Sequence, residues 1–435
     1  MKRSRDQHKD RRAVRCALAA LALCLCALLA VFWHRVLLIG GAVVLAAAAD
    51  LLLGAKARGK RFAALDLAVL LPMIPAMVIG TYFAVLVADT VSFLAAAALF
   101  FCSLKKKKRP VRRVLAALFV LLLAVPGALD WFPDPLFRFV MQQGVMAHTA
   151  QQEETLRADG VRVLRDQTYP SSYPNNTANL FLTKENRGTV FYIHGGGFVL
   201  GDKDVASQNG YLEKWIENGY NVAAIDYALA PQYRIEKQIV QCGEALAWFF
   251  ETAPEYGIDP ARVVLAGDSA GGCLSGLLTA AYSSPAAAAR LGIAPSHANG
   301  GRIRAWISIG SVSDAGRIGD TNLDTNSWGF NLMGVCAFGN PAYAGSEAAQ
   351  AMSVLHWVNA AFPPCYLSDG NTGTFTDQAQ DTAAALAACG VRAETNIVPL
   401  QTAKRLHVFE LDVQNDPLAE ENFQKTLAFV NDVLS

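Results

Sequence analysis

The stretch RVVLAGDSAGG, residues 262–272, decides how the rest of the chain is read. Its first half is a short apolar run of the kind that forms a strand buried on both faces. Its second half opens a helical pattern that continues over residues 271–282. Between them lies G-x-S-x-G, with Ser269 at the centre and Gly267 and Gly271 on either side. A hydroxyl held on a sharp strand-to-helix turn needs strained backbone, and its neighbours two residues away must be small to avoid clashing. The helix that follows directs N–H groups and a positive dipole at that hydroxyl. In isolation the pattern arises by chance in glycine-rich chains. Between a buried strand and a helix it is far more specific.

Upstream, FYIHGGGFVLGD at residues 191–202 ends an apolar run with a histidine and three glycines. A hairpin turn does not require three glycines after a histidine. Glycine costs the most entropy to order, so its repeated use implies that something approaches this backbone closely. If Ser269 attacks a carbonyl carbon, an oxyanion develops, and the N–H groups of Gly196, Gly197 and Ala270 are the candidates to cradle it. A phosphate-binding loop is the rival reading of such a glycine cluster. A dinucleotide site would carry G-x-G-x-x-G opening a helix, which GGGFVLGD lacks.

Short apolar runs alternate with helical patterns around these motifs. Strands are expected at 161–169, 179–183, 189–194, 221–226, 262–267, 304–309, 364–368 and 393–400, and helices at 237–251, 271–282, 376–388 and 418–434. That alternation implies an α/β fold, a mostly parallel sheet with helices on both faces. The region 311–356 is long, with Trp328, Phe330, Phe338 and Tyr343 among glycines. It reads equally well as a mobile cover over a pocket and as a plain surface excursion.

Four ordered motifs carry a family resemblance: HGGGF, DYALAP at 226–231, GDSAGG, and LHVF at 406–409. Residues 160–435 thereby resemble the hormone-sensitive-lipase-like carboxylesterases of the α/β-hydrolase superfamily. The resemblance implies a Ser–acid–His order along the chain, with Ser269 as nucleophile and His407 as general base. It implies a structural role for His194 in the oxyanion loop, and motif support from Gly195, Gly267, Asp268 and Gly271. It implies no cofactor, and the sequence offers no metal-ligand spacing. Asp226 and Tyr227 are expected to fix loops at the same sheet edge.

The acid is where the chain departs from the family. The usual Gly-x-x-Asp after the strand at 364–368 is here LSDGNTGTFTDQAQD, and Gly373 occupies the aspartate position. Asp369, at the strand end, is the favoured substitute and Asp377 the other. A two-residue Ser–His pair and an inactive member are further readings, because losing the acid costs about four orders of magnitude in turnover without abolishing catalysis.

The N-terminal third is of another kind. A membrane helix needs about 20 largely apolar residues. Segments 15–33, 36–54, 64–82, 85–104 and 114–132 meet that demand. The basic stretches MKRSRDQHKDRR, AKARGKR and KKKKRPVRR then all fall on one side, as the positive-inside rule requires. The expectation is an all-α transmembrane bundle of five helices with a cytoplasmic N-terminus, then a connector at 133–155, and a hydrolase domain at 156–435 on the extracytoplasmic side of the cell membrane. Asp50, Asp66 and Asp89 read as interfacial carboxylates near helix ends.

The formal net charge of +1 excludes a global field for nucleic acid. Nine cysteines without paired metal spacing read as small buried apolar residues. The expected partners are the lipid bilayer and a small-molecule or envelope ester, with the oligomeric state open. Three functions remain at this point: a membrane-anchored esterase working through an acyl-enzyme, an acyltransferase acting on envelope hydroxyls, and a catalytically degenerate domain with a sensing or scaffold role.

Overall fold

A computed structural model describes residues 151–435, apart from residue 209 and residues 323–326. The five expected membrane helices and most of the connector lie outside the described residues. Among the described residues no helix is long and apolar enough to cross a membrane.

Nine strands form one sheet: β1 (Glu153–Leu156), β2 (Arg162–Thr168), β3 (Thr177–Leu182), β4 (Thr189–Ile193), β5 (Asn221–Ile225), β6 (Val263–Asp268), β7 (Ile303–Ile309), β8 (Cys365–Asp369) and β9 (Ala393–Ile397). Their spatial order is β1-β2-β3-β5-β4-β6-β7-β8-β9. From β5 to β9 every neighbouring pair is parallel. β3, β2 and β1 extend the β5 edge as antiparallel strands. The principal helices are α1 (Tyr211–Glu217), α2 (Ile235–Thr252), α3 (Ser269–Ser283), α4 (Pro285–Leu291), α5 (Ser327–Phe338), α6 (Thr376–Ala388) and α7 (Pro417–Leu434).

The central strands β4, β5, β6 and β8 are buried at every position because both faces are covered. On β4, Phe191 meets Phe249 of α2 with ring centroids 5.5 Å apart. Its neighbour Tyr192 points the other way, 6.2 Å from Tyr211 of α1. Trp215 of α1 and Phe423 of α7 complete that second layer, 5.1 Å apart. Each such fully buried aromatic contributes about 1.5–3 kcal/mol relative to exposure. α3 is buried along nearly its whole length. A Cβ at Gly276 would stand 2.6 Å from the Trp306 ring, so this glycine lets α3 lie directly on β7.

Several elements differ from the sequence expectations. β1 falls across the expected connector boundary. Its residues are all exposed, so it carries no burial pattern, and a cross-strand ion pair between Arg162 and Glu154 (2.5 Å) supports it. α1, α4 and α5 were not expected. α1 is a seven-residue helix between Gly210 and Gly219, too short to show a period. The region 311–356 contains α5, which packs against the loop after β4: Met333 and Leu200 lie on Val199, Ala230 and Cys336. The five described cysteines form no disulfide with one another, and four of them are buried.

Candidate active site

The carboxyl ends of β4, β6, β7 and β8 lie side by side, at the edge where open parallel sheets bind their ligands. β4 delivers the HGGG loop. Gly196 has φ 110° and Gly197 φ 60°, which only glycine adopts readily. A Cβ at Gly196 would sit 2.1 Å from the Leu200 carbonyl oxygen, and one at Gly197 2.1 Å from Met333 Sδ. Neither glycine N–H has a hydrogen-bond partner among the described residues, whereas the Gly196 carbonyl accepts from the N–H groups of Val199 and Leu200.

His194 braces this loop from beneath. Its ring stacks on Tyr227 at 4.4 Å, and the Tyr227 hydroxyl donates to its backbone carbonyl at 2.9 Å. Asp226 anchors the far side of the loop. Its carboxylate accepts from the Lys203 N–H and from Lys203 Nζ, at 2.8 and 2.6 Å. The expected loop-fixing positions of Asp226 and Tyr227 are therefore occupied, and the sequence reading missed Lys203. A lone lysine six residues past the last of the three glycines carries no signal of burial.

β6 delivers Ser269, at φ 51° and 5% exposed. The strain is held by packing. A Cβ at Gly267 would meet the Gly271 carbonyl at 2.4 Å, and one at Gly271 would meet the Ile193 carbonyl at 2.0 Å. Asp268 occupies the N-cap position of α3 but makes no side-chain cap bond. Its carboxylate instead accepts from the Tyr192 hydroxyl (2.6 Å) and the Gly195 N–H (2.9 Å). Burial raises its pKa, and these two donors partly offset that rise. The consequence is an uncapped helix N-terminus, with the Ala270 N–H in its first turn, beside the serine.

The loop after β9 delivers His407. Its Nε2 stands 2.9 Å from Ser269 Oγ. The next residue, Val408, is held at φ 54°, an outlying conformation for a β-branched side chain. The loop is stitched to the end of β8. Asn371 and Thr372 N–H groups donate to the Arg405 carbonyl, and Asn371 Nδ2 donates to the carbonyls of Val398 and Ala403.

Behind His407, no carboxylate among the described residues is hydrogen-bonded to the imidazole. Its Nδ1 faces the Thr374 hydroxyl at 2.9 Å, and that hydroxyl donates to Asp369 Oδ1 at 2.5 Å. Asp369 is thus one side chain removed from the histidine it was expected to contact, with the Thr374 hydroxyl standing between them. Asp377 lies elsewhere, paired with Arg317 at 3.1 Å. Thr374 was missed from the sequence. Its only signal was adjacency to Gly373, the vacated acid position.

The electrostatics follow from burial. His407 is pushed down to about 4, because it is desolvated with no charge against it. Burial raises Asp369 above the usual carboxylate range, and bonds from Thr374, Gly370 and Phe375 oppose the rise. Glu410, wholly buried, is raised well above its ordinary value by burial first and by Asp369 second, with its own backbone N–H and Ser368 opposing the rise. Phe330 of α5 and Phe375 flank the imidazole edge-on, at 5.1 and 5.2 Å between centroids. Among the described residues no group of three or more His, Cys, Asp or Glu side chains could hold a metal ion. The arrangement can therefore deliver a serine oxygen to an electrophile beside unpaired backbone donors.

Comparison with known proteins gives a family model, described as alpha/beta hydrolase fold, that matches residues 190–410. The chain is 35% identical over 106 residues to Lipase 2 of Moraxella sp. (strain TA144), covering 24% of each chain. It is 39% identical over 97 residues to arylacetamide deacetylase of Bos taurus, covering 21% of this chain and 24% of the relative. The aligned stretch thus spans about a quarter of the length of these curated relatives. Among solved structures, esterase B from Lactobacillus rhamnosis superposes with a TM-score of 0.55 at 23% identity, covering 68% of this chain and 91% of that one.

Proposed function

The chain belongs to the alpha/beta hydrolase fold family, and from that premise we propose that it is a membrane-anchored serine hydrolase cleaving carboxylic esters. The observation that carries this reading is the 2.9 Å approach of His407 Nε2 to a serine oxygen on a left-handed strand-to-helix turn. Ser269 Oγ attacks the ester carbonyl carbon as His407 takes its proton. The oxyanion is held by the N–H groups of Gly196, Gly197 and Ala270, the first two of which have no hydrogen-bond partner among the described residues. Collapse of the tetrahedral intermediate breaks the bond to the alcohol, which leaves with the proton from His407. Water, deprotonated by the same imidazole, attacks the acyl-enzyme and releases the acid and free Ser269. The name of one relative, a lipase, favours ester substrates. Membrane anchorage is supported by the five apolar segments and their basic flanks, and it directs the enzyme toward esters at the cell surface.

Fluorophosphonate labelling of the full-length chain tests the nucleophile without a guess at substrate. Wild type is expected to label and Ser269→Ala to stay blank. A folded wild-type protein that does not label favours a degenerate domain, for which Gly373 at the acid position is the best support.

A further inference from the structure

We propose that Thr374 is a positioning residue whose hydroxyl relays the orientation of Asp369 to His407 and so fixes the imidazole tautomer that accepts the serine proton. The inference rests on the reading of Ser269 and His407 as nucleophile and base. A threonine hydroxyl has one proton to give. Thr374 commits that proton to Asp369 Oδ1, so toward His407 it can only accept. The 2.9 Å contact then requires the imidazole proton on Nδ1, which leaves the Nε2 lone pair facing Ser269 Oγ. A triad carboxylate imposes the same tautomer by direct contact. Here a neutral side chain does so at one remove.

Thr374 is held rigidly for this task. Asn322 clamps its segment: the Asn322 carbonyl accepts from the Gly373 N–H at 2.7 Å, and the Asn322 N–H donates to the Thr374 carbonyl. Asn322 Oδ1 accepts from the Thr374 N–H at 3.0 Å, and Nδ2 donates to the Asn371 carbonyl at 2.6 Å. The hydroxyl itself is fully buried. Asn322 and Thr374 therefore fix the relay before any substrate arrives.

The relay has a direction only while Asp369 is an anion. When Asp369 gains a proton from solvent, its O–H becomes the donor to Thr374, and the Thr374 hydroxyl turns to donate to Nδ1. The imidazole proton then exchanges through solvent onto Nε2, the ring stays neutral, and the group facing Ser269 is a donor. The groups that face Asp369 are Glu410 from the turn Phe409–Leu411, Asp377 from α6, and His407 through Thr374, with Asp268 beyond Glu410. The nearby arginines are committed elsewhere, Arg405 to Asp416 and Arg317 to Asp314, Asp377 and Asp381.

The test uses the full chain labelled with ¹⁵N-histidine, with His407→Gln to assign the resonance, alongside p-nitrophenyl acetate turnover. Wild type is expected to show His407 protonated at Nδ1. Thr374→Val is expected to lose that tautomer and to drop kcat at least about a hundredfold, within the roughly ten-thousandfold cost of a wrong tautomer, with KM changed less than threefold. Thr374→Ser should restore most of the rate. Asp369→Asn probes the other end of the relay, and combined with Thr374→Val it should cost no more than either change alone. A Thr374→Val protein with wild-type kcat and an unchanged Nδ1-protonated resonance overturns the proposal. So does a Thr374→Ser protein as slow as Thr374→Val. Fluorophosphonate labelling separates this from the hydrolase reading: a chain that never labels but whose tautomer follows Thr374 keeps the relay and loses the esterase.

Discussion

Gly373 stands where the resembled family carries its aspartate, and its backbone is in the left-handed region at φ 59°. Aspartate and asparagine enter that region more readily than other side-chain-bearing residues, so Gly373→Asp is a small conformational change. A carboxylate next to the His407 loop would compete with Thr374 for Nδ1. It would also raise the histidine pKa, since an anion favours the charged imidazolium. Gly373→Asp is therefore expected to increase kcat/KM for p-nitrophenyl acetate about tenfold or more, part of the roughly ten-thousandfold that a triad acid supplies. Its acid limb should move upward from that of Asp369→Asn. Unchanged kcat/KM and an unchanged limb would mean that the new carboxylate does not reach the ring.

The same residues set the pH dependence of the native chain. A base works when unprotonated, and burial holds His407 at about 4, so histidine titration alone would keep activity on down to acid pH. Asp369 is raised above the ordinary carboxylate range, and it must be an anion for the relay to point the right way. The rate is thus expected to fall, as pH drops, through the raised Asp369 ionisation before His407 titrates. In Asp369→Asn that ionisation is gone, so the slower variant should hold its rate down to about pH 4, as read from kcat/KM profiles of the two proteins. Coincident acid limbs would rule out this assignment. Ser269, His407 and the glycines were legible in the sequence because each sits in a short motif whose spacing is dictated by backbone sterics. Thr374 was not. Whether its hydroxyl reaches a ring 33 positions later depends on how two loops are laced together, and no local pattern records that.

At the scale of elements, strands that are buried on both faces announce themselves as apolar runs, and all eight expected strands exist, with ends shifted by a few residues. β1 escaped notice because its EETL sequence is wholly exposed. α5 escaped because its sequence, SWGFNLMGVCAF, has almost no polar face to set a period. One polar contact does join elements that the sequence does not connect. Lys203, with a side chain 1% exposed, binds Asp226 at the end of β5 and Asp166 on β2, at 2.6 and 2.9 Å. It thereby fixes the far end of the loop that begins with HGGG. Removing one partner from a buried ion cluster leaves uncompensated charge, so Lys203→Met is expected to lose about 3–5 kcal/mol of stability in denaturant unfolding. A loss below about 1 kcal/mol would mean water reaches the two carboxylates, as at an exposed pair. Burial alone would push the Lys203 ammonium down, yet Asp226 and Asp166 hold it above its usual value. Its stabilisation is accordingly full below the unfolded lysine pKa and lost as pH rises through the raised folded value.

At the scale of the whole chain, the proposal that the domain faces outward rests on the N-terminal third, where basic stretches stand before the first, after the second and after the fourth of five apolar segments. The argument is one of parity. With five spans, residues 2–12, 56–61 and 105–113 share the cytoplasmic side, and the chain after residue 132 lies opposite. Merging the segments at 64–82 and 85–104 into one would put Lys105 to Arg109 outside and return the hydrolase domain to the cytoplasm. The proposed nucleophile can report which arrangement holds. A membrane-impermeant fluorophosphonate applied to intact cells is expected to label Ser269 as fully as it does after lysis. Labelling that appears only on lysis would place the domain inside and reduce the span count by one. Because transmembrane orientation follows lysine and arginine near the span ends, replacing Lys105, Lys106, Lys107, Lys108 and Arg109 with glutamine should weaken the preference. Part of the population would then hide Ser269 from the impermeant probe while still reacting after lysis. If those five changes leave the intact-cell signal untouched, the orientation is set by the first spans, and the basic loop before residue 114 serves only as their flank.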